Sequence, residues 1–348
     1  MLISMRFFRK IKINKFKIDV NDVKKLFRYI NNYSNRKLVE EAVIRLSKNK
    51  NIIKNILSFH RFLRKELKRK IIIEESLTIA GTGGDGKNTV NLTTYVTIIS
   101  SMLGINVIKN NGNSYITNKG SNEFINMLFK NIKEKELSNL LLIYRKIKLL
   151  LFCFKQVNKR NLFRKGFYEL RRKIGKVTIF NYSLSSFNVF SSKHFILCVN
   201  TTKEINTLSK VVRRNGSSIS MILSSYNEID EPTLSGKIKL IKNRKGKEIE
   251  IVIDIRKLGF QTEKNNKYLY AKNTIDSYKK FNDVIRSKKR GFKIYENIVL
   301  FLCLIFNLIF EKKISFPINL LRNINKNSLL KKKLETIEKE IYGKINRK

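Results

Sequence analysis

The sequence is poor in several residue types that support particular chemistries. Its 348 residues include no Trp, 2 Pro, 2 His and 3 Cys, and only 27 acidic residues against 73 Lys and Arg. The two histidines, His60 and His194, fall in apolar patterns, so we predict that they are structural rather than zinc ligands or catalytic groups. Cys153, Cys198 and Cys303 lie far apart in apolar stretches. This spacing predicts buried thiols instead of a disulfide or metal set.

The excess of basic residues gives a formal net charge of +46. Such a charge is typical of proteins that bind nucleic acid or an anionic membrane. However, the lysines are spread over the whole length, and the chain is rich in the residues that A/T-rich codons encode (Lys, Asn, Ile and Phe). We therefore interpret the charge mainly as biased composition. Weak, non-specific and salt-sensitive binding of nucleic acid would follow from it.

No segment has the pattern of a signal peptide or of a membrane span. The N-terminus is basic but lacks a continuous apolar core and a cleavage site made of small residues. The most apolar run, Ile298–Phe310, contains Asn307 and is too short to cross a bilayer, so it predicts a buried helix. We expect a cytoplasmic protein that does not bind a membrane. Its 42% apolar content is sufficient for a large core.

A glycine-rich segment at residues 81–94 is the most informative feature. It begins Gly-Thr-Gly-Gly-Asp-Gly, follows a predicted strand at Leu77–Ala80 and precedes a predicted helix at Thr94–Leu103. Glycines expose backbone N–H groups, and a strand, a turn and a helix in this order favour phosphate binding at the helix N-terminus. Asp85 could bond a ribose hydroxyl or help to organise a metal. The segment has neither the spacing of a P-loop nor that of a dinucleotide-binding loop.

The periodicity of apolar residues changes near residue 71. Before it, residues 19–70 show helical stripes such as Val23, Leu26, Phe27 and Ile30. After it, short apolar runs alternate with helices, and a capping box at Thr201 predicts the start of one of these helices. The apolar runs predict strands at Leu77–Ala80, Ile105–Ile108, Val177–Phe180, Phe195–Val199 and Ile219–Leu223. They also predict a hairpin of Ile238–Ile241 with Ile249–Ile255. Helices are predicted again at Tyr278–Ile285, at Tyr295–Phe310 and in a C-terminal stretch with Leu330, Leu334, Ile337 and Ile341 on one face.

These patterns predict an α/β fold with a small helical N-terminal domain, residues 1–72, and a large α/β domain, residues 73–348, with a mostly parallel central sheet. Parallel sheets place ligands at the carboxyl ends of their strands, where residues 81–86 and 109–113 fall.

Three segments, in the same order, resemble the anthranilate phosphoribosyltransferase family. The family signature is Gly-Thr-Gly-Gly-Asp-Gly, two variable residues and Thr-Phe-Asn-Ile-Ser-Thr, and this chain has Thr-Val-Asn-Leu-Thr-Thr at residues 89–94. The family's Lys-His-Gly-Asn-Arg and the Ser-rich sequence after it correspond to residues 109–121. Its Asp-Glu segment corresponds to residues 230–236.

The resemblance implies a fold of the nucleoside phosphorylase and phosphoribosyltransferase type, with a helical segment near residues 156–175 that returns to the small domain and with small domains that pair into a homodimer. It also implies transfer of the phosphoribosyl group of phosphoribosyl pyrophosphate to anthranilate. The products would be N-(5-phosphoribosyl)anthranilate and pyrophosphate, in tryptophan biosynthesis.

The predicted site combines reasoning from residue chemistry with this resemblance. The amides of residues 81–86 suit a pyrophosphate, Lys109 supplies positive charge, and the adjacent acids Asp230 and Glu231 suit Mg²⁺. The resemblance adds the hydroxyl of Thr93 as a ligand of a second Mg²⁺. The predicted substrate-binding residues are Gly81, Gly83, Gly84, Asp85, Thr89, Asn91, Leu92, Thr93, Thr94, Lys109, Asn110, Asn111, Gly112, Asn113, Thr117, Ser121 and Lys176.

Two segments depart from the family pattern. An ungapped alignment puts Asn110 on the family's histidine, whereas a one-residue gap keeps Gly112 and Asn113 as its Gly-Asn pair. Val177 stands where the resemblance places an arginine that binds the carboxylate of anthranilate. Lys176 is the predicted substitute, although a lysine does not reproduce bidentate binding. We therefore expect Lys176→Ala to weaken anthranilate binding more than donor binding.

Two other functions compete with the transferase. A pyrimidine-nucleoside phosphorylase also has a glycine-rich phosphate loop, but that family lacks the Asp-Glu segment, so Asp85, Asp230 and Glu231 argue against it. A basic, non-catalytic relative that binds nucleic acid is favoured by the charge and by Val177. The intact donor loop and the acid pair argue against this second alternative.

Overall fold

A computed structural model describes most of the chain. The described residues are 2–11, 16–32, 35–84, 86–112, 120–130, 132–159, 162–227, 229–324 and 328–342, with backbone alone for 2–6 and 133. Three predicted site residues, Asp85, Asn113 and Thr117, lie outside them.

Helices surround a central sheet. The helices are α1 (Leu2–Ile11), α2 (Val20–Asn31), α3 (Arg36–Ser47), α4 (Ile52–Lys65), α5 (Leu92–Met102), α6 (Ser121–Leu128), α7 (Leu137–Ile147), α8 (Phe154–Val157), α9 (Lys165–Ile174), α10 (Ile179–Ser185), α11 (Thr202–Arg213), α12 (Thr274–Ile285), α13 (Phe292–Phe310), α14 (Ile318–Ile324) and α15 (Leu329–Tyr342). The strands are β1 (Leu77–Gly81), β2 (Val107–Asn110), β3 (Leu149–Phe152), β4 (His194–Cys198), β5 (Ile219–Ser225), β6 (Lys237–Arg244) and β7 (Lys247–Asp254). Short 3-10 turns occupy Ile132–Glu134, Ile255–Leu258, Lys267–Leu269 and Lys289–Gly291.

The strands form one sheet in the order β3-β2-β1-β4-β5-β6-β7. The first five strands of this order pair in parallel, and β6 and β7 pair antiparallel at one side. The strand order reverses between β1 and β4, whose last residues, Gly81 and Cys198, are register partners. In open α/β sheets, ligands bind outside the carboxyl ends of the strands at such a reversal. The predicted mostly parallel α/β fold is confirmed.

The parallel strands are buried because helices cover them, as is typical of parallel sheets. Helix α5 packs against β1 and β2, and α11 and α13 pack against β5. Within the described residues, one helix, with its preceding 3-10 turn, is long and apolar enough to cross a membrane. It spans Lys289–Phe310, and most of its apolar window is buried inside the fold. The predicted buried helix over Ile298–Phe310 is therefore present, and it is longer than the apolar run alone suggests.

The N-terminal helices form one helical unit with α9 and α10, and its buried side chains are continuous with the core around the sheet. Helix α9 contacts α2 and α3, and α10 contacts α3 and α4. At the centre of this unit Phe27 packs against Phe62, Phe167 and Phe180, at ring-centroid distances of 5.4, 5.9 and 5.8 Å. Helix α9, which lies in the segment near residues 156–175 that the resemblance returns to the small domain, therefore contacts the N-terminal helices. The domain boundary at residue 72 stays a prediction.

Three local predictions are wrong. Residues Val177–Phe180 do not form a strand, because Thr178 and Asn181 build a capping box that starts α10. Strand β3 is absent from the prediction, because its Leu-Leu-Leu-Phe sequence directly follows α7 without a glycine. Lys148 ends that helix in the left-handed conformation, with φ of 59°. Thr201 does precede α11, but its side chain makes no capping hydrogen bond.

The two histidines are buried, whereas the prediction of buried thiols is wrong for Cys153, which is half-buried and lines the cleft described below. His60 is buried, its Nε2 atom lies 3.0 Å from the carbonyl oxygen of Ser183, and burial lowers the pKa of the imidazole to about 3. His194 opens β4. All three cysteines are free thiols, and Cys198 and Cys303 are buried.

Candidate active site

The glycine-rich segment leaves the carboxyl end of β1 and is held at both of its ends. Thr82 N–H donates to the carbonyl oxygen of Cys198 at 3.0 Å. At the other end, Val90 N–H donates to the carbonyl oxygen of Leu269 at 2.7 Å. Gly83 and Gly84 have φ values of 58° and 82°, in the left-handed region that side chains rarely adopt. The glycines therefore permit a backbone path that alanine would strain.

The acid pair of the β5–β6 connection binds directly to this segment. The Asp230 carboxylate accepts a hydrogen bond from Gly83 N–H at 2.8 Å, and Glu231 accepts one from Thr93 N–H at 2.7 Å. Thr93 lies in the first turn of α5, where N–H groups have no partner within the helix and favour anions. A Cβ atom on Gly81 would lie 3.3 Å from Asp230 Oδ2. The two acids, the glycine turn and the helix N-terminus thus form one compact group.

Lys109 adds a buried positive charge to this group. It is the third residue of β2, is 3% exposed, and donates from Nζ to Thr93 Oγ1 at 3.0 Å. Burial lowers the pKa of its ammonium group, and the nearby charges of Glu231 and Asp230 oppose that shift. Burial also raises the pKa of the Cys198 thiol, and the same two acids add to the effect.

A cleft of about 1030 Å³ opens at this end of the sheet. Most of the predicted residues that are described line it: Gly81, Gly83, Gly84, Thr89, Asn91, Thr93, Lys109, Asn110, Asn111, Gly112, Ser121, Lys176, Asp230 and Glu231. The side chains of Leu92 and Thr94 are instead fully buried and do not line the cleft. The carboxyl end of the sheet therefore brings together three sequence segments that are far apart in the chain.

Gly112, which follows β2, contacts the start of α6. Gly112 N–H donates to Ser121 Oγ at 3.1 Å, and Asn122 N–H donates to the carbonyl oxygen of Gly112 at 3.2 Å. Residues 113–119 lie between these contacts and outside the described residues, so the register of this segment stays open.

The side of the cleft near α9 and α10 is aromatic and cationic. Tyr168 and Leu184, which are half-buried, and Phe163, which is 6% exposed, line it, whereas Phe167 and Phe180 beside them are fully buried. Arg171 also lines it, is 8% exposed, and places its guanidinium 5.6 Å from the centre of the Phe167 ring. An arginine on an aromatic wall suits a planar aromatic carboxylate.

Lys176, which the sequence analysis chose to bind the carboxylate, is much less buried than Arg171. Lys176 lines the same cleft but is exposed. Val177, at the family's arginine position, is half-buried and does not line the cleft. Sequence reasoning missed Arg171, although it lies inside the segment near residues 156–175 that was expected to return to the small domain.

Two asparagines that the sequence analysis did not select form hydrogen bonds with the glycine-rich segment. The Asn200 amide accepts from Thr82 Oγ1 at 3.2 Å and donates to the carbonyl oxygen of Gly83 at 3.1 Å. Asn181 Nδ2 donates to the carbonyl oxygen of Thr82 at 3.0 Å. No spacing rule would have found them, since their role depends on the tertiary approach of three separate elements.

The oxygen atoms around the acid pair are suitable ligands for Mg²⁺. Two carboxylates and the hydroxyl of Thr93 are hard oxygen ligands, which Mg²⁺ prefers. Among the described residues, no three His, Cys, Asp or Glu side chains converge on one point. A Mg²⁺ ion at this place would need further oxygens from substrate or water, which is its usual coordination in phosphate sites.

Comparison with known proteins agrees with this geometry. A sequence model of the glycosyl transferase family, a/b domain, matches residues 74–311, which cover the sheet, the glycine turn and the acid pair. The chain belongs to this family. Its curated relatives include an anthranilate phosphoribosyltransferase from Neisseria gonorrhoeae, 26% identical over 227 residues, and one from Prochlorococcus marinus subsp. pastoris, 28% identical over 214 residues.

These alignments cover 64% and 61% of this chain, and 65% and 59% of the two relatives. The chain thus aligns with less than two thirds of the length of these curated relatives. The resemblance to anthranilate phosphoribosyltransferases that was predicted from the three segments is confirmed.

Solved structures match the fold of this glycosyl transferase family member over nearly its whole length. The anthranilate phosphoribosyltransferase of Thermus thermophilus has a TM-score of 0.80 at 15% identity, and the match covers 96% of this chain and 99% of that one. The Saccharomyces cerevisiae enzyme in complex with PRPP and Mg has a TM-score of 0.81 at 15% identity, with 97% and 98% covered. At this identity the likeness establishes the fold.

Proposed function

We propose that this glycosyl transferase family member is an anthranilate phosphoribosyltransferase. It would transfer the phosphoribosyl group of phosphoribosyl pyrophosphate to the amine of anthranilate, with release of pyrophosphate. The observation that carries the proposal is the compact group at the end of β1. There, Asp230 and Glu231 meet the glycine turn and the N-terminus of α5 beside the buried Lys109.

The donor half would work by positioning and electrostatics. A phosphoribosyl donor carries a 5′-phosphate and a pyrophosphate, and negative charge develops on the pyrophosphate as its bond to C1′ breaks. Lys109 and the N–H groups near the α5 N-terminus supply the positive potential that stabilises this charge. Because Lys109 is buried, water screens its field less than that of a surface lysine.

Mg²⁺ would be held by Asp230, Glu231 and the Thr93 hydroxyl, and would neutralise charge on the pyrophosphate when bound. The yeast structure described with PRPP and Mg supports this assignment. The acids of this chain have a second task, because they fix the backbone of Gly83 and Thr93. Removing either acid would therefore loosen the donor loop as well as weaken the metal site.

The acceptor half would bind anthranilate between the aromatic wall and Arg171. The ring would pack against Tyr168 and Leu184, which are half-buried, and against the small exposed part of Phe163, and the carboxylate would pair with the guanidinium of Arg171. Arginine matches a carboxylate in two parallel hydrogen bonds, and a partly desolvated arginine binds it more strongly than an exposed lysine does. We therefore assign the acceptor carboxylate to Arg171 in preference to Lys176.

This assignment weakens the argument for a non-catalytic relative. That alternative was favoured by the net charge and by Val177, and the second of these arguments loses weight because the cleft contains the buried Arg171 of α9. A homodimer, which the family resemblance implies, and a cytoplasmic location, which the sequence patterns favour, stay predictions.

The direct test is loss of anthranilate fluorescence when the purified protein is mixed with phosphoribosyl pyrophosphate and Mg²⁺. We expect a decay that requires all three components and that Lys109→Met slows strongly. No decay at high enzyme concentration, with both ligands bound, would contradict the proposed transfer.

A further inference from the structure

One side chain connects the acceptor half of the cleft to the donor half. Asn181 is the third residue of α10, and its amide has a different partner at each end. The Oδ1 atom accepts from Thr178 N–H at 3.1 Å, which caps α10. The Nδ2 atom donates to the carbonyl oxygen of Thr82 at 3.0 Å, on the donor side of the cleft.

The acceptor-side helix is fixed to the N-terminal helices at both ends. At its start, Ile179 N–H donates to Ser47 Oγ of α3 at 2.8 Å. Near its end, the carbonyl oxygen of Ser183 lies 3.0 Å from His60 Nε2 of α4. Helix α10 is therefore bonded to the N-terminal helices, while Thr82 belongs to the carboxyl edge of the sheet.

The same helix carries part of the acceptor wall. Leu184 of this helix is half-buried and lines the cleft. Phe180, which precedes Asn181, is fully buried and packs against Phe167 of α9 with ring centroids 5.0 Å apart. Arg171 is one turn along α9 from Phe167. A ligand that presses on this wall therefore acts on the helix that holds Asn181.

On the donor side, the N–H, hydroxyl and carbonyl groups of Thr82 are all hydrogen-bonded. It is 4% exposed, its N–H donates to Cys198, its hydroxyl donates to Asn200, and its carbonyl accepts from Asn181. The next residue, Gly83, bonds to the carboxylate of Asp230. A shift of Asn181 is thus transmitted through one peptide unit to the acid pair.

We propose that Asn181 is a positioning residue that couples acceptor binding to donor binding by tying α10 to the donor loop. This inference rests on the proposed function, since it takes the two halves of the cleft to bind the two substrates. Each substrate would then favour the arrangement that the other requires. Coupling of this kind is reciprocal, so either ligand must raise the affinity of the other by the same factor.

The test separates the two bonds of Asn181. Asn181→Asp keeps an oxygen that caps α10 but puts a second oxygen against the Thr82 carbonyl, which removes the link. Thr178→Val is the matched control, because it removes a hydroxyl of the same capping box and leaves the amide link to Thr82 in place. Asn181→Ala serves as a second variant without either bond.

The measurement is calorimetric titration of phosphoribosyl pyrophosphate with Mg²⁺, with and without saturating anthranilate. We expect the wild-type chain and Thr178→Val to bind the donor more tightly in the presence of anthranilate. In Asn181→Asp and Asn181→Ala the coupling factor should fall by about fivefold, which is the effect of one neutral hydrogen bond. Hydrogen exchange of the ligand-free protein should show faster exchange near Thr82 in both Asn181 variants and not in Thr178→Val.

Three results would overturn the inference, and all three are distinguishable from failure of the proposed function. Unchanged coupling in Asn181→Asp would contradict it, and so would an equal loss in Thr178→Val, which would indicate a general effect of helix capping. If the wild-type chain binds no donor, the proposed function fails and this inference fails with it. Donor binding without any effect of anthranilate would overturn this inference alone.

Discussion

Replacing Arg171 tests the acceptor assignment most sharply. Arg171→Gln removes the positive charge and leaves a shorter, neutral polar side chain beside Phe167. A hydrogen bond to a charged partner contributes about 1.5–3 kcal/mol, and about 1.4 kcal/mol corresponds to a factor of ten. We therefore expect kcat/KM for anthranilate to fall about 10- to 150-fold. The KM for the donor should stay nearly unchanged.

The matched control is Lys176→Gln, which removes a charge from the same cleft. Because Lys176 is exposed, its pairing with a carboxylate is worth at most about 1 kcal/mol, so we expect a loss of less than about fivefold. The assay is the initial rate of anthranilate fluorescence decay, with each substrate varied in turn. Thermal unfolding of each variant reports any damage to the aromatic cluster.

Two outcomes would refute this reasoning. A larger loss in Lys176→Gln than in Arg171→Gln would return the carboxylate to Lys176. An equal effect of Arg171→Gln on donor and acceptor would show that the arginine supports the whole cleft instead of binding one substrate.

Three further predictions follow from individual contacts. Gly81→Ala places a Cβ atom 3.3 Å from the Asp230 carboxylate, so we expect a loss of about 1–3 kcal/mol in unfolding free energy. We also expect weaker Mg²⁺-dependent donor binding, and unchanged binding would contradict a role of this close approach. Because burial lowers the pKa of Lys109, kcat/KM for the donor should fall as pH rises through a value below 10.5, and a pH profile without this limb would exclude Lys109 as the cation. The folded-state pKa of His60 is about 3 against 6.5 unfolded, so its stabilising effect is complete above pH 6.5 and is lost as pH falls toward 3, by about 1.4 kcal/mol per unit. His60→Gln should therefore flatten urea-unfolding stability between about pH 6 and pH 4, and an unchanged slope would show that other groups cause the acid sensitivity.

The donor half of the site was predictable because its signals are local in sequence. The glycine turn follows directly from a strand and precedes a helix, and that order alone predicts an anion site at the edge of a parallel sheet. Lys109 directly follows a predicted strand, so the sheet brings it to the same edge, whereas the choice of Asp230 and Glu231 depended mainly on the family resemblance. What the sequence did not show is that both acids bind the backbone of the donor segment.

The acceptor half was harder to predict because tertiary packing decides it. The β-branched and aromatic run from Val177 to Phe180 looks like a strand, yet a capping box at Thr178 turns it into a helix. Arg171 and the phenylalanines near it come from α9, whose position depends on the N-terminal helices. Aligning the sequence with the family pattern therefore drew attention to Val177, whereas the buried cation in the cleft is Arg171.

The measurement that tests the central claim most directly is calorimetric titration of the purified protein with phosphoribosyl pyrophosphate, with and without Mg²⁺. Our account predicts that the donor binds and that Mg²⁺ tightens binding in the wild-type chain. Glu231→Gln, which keeps an oxygen for the Thr93 N–H, should lose most of the Mg²⁺ effect. Absence of donor binding under both conditions would contradict the assignment of residues 81–94 as the donor site.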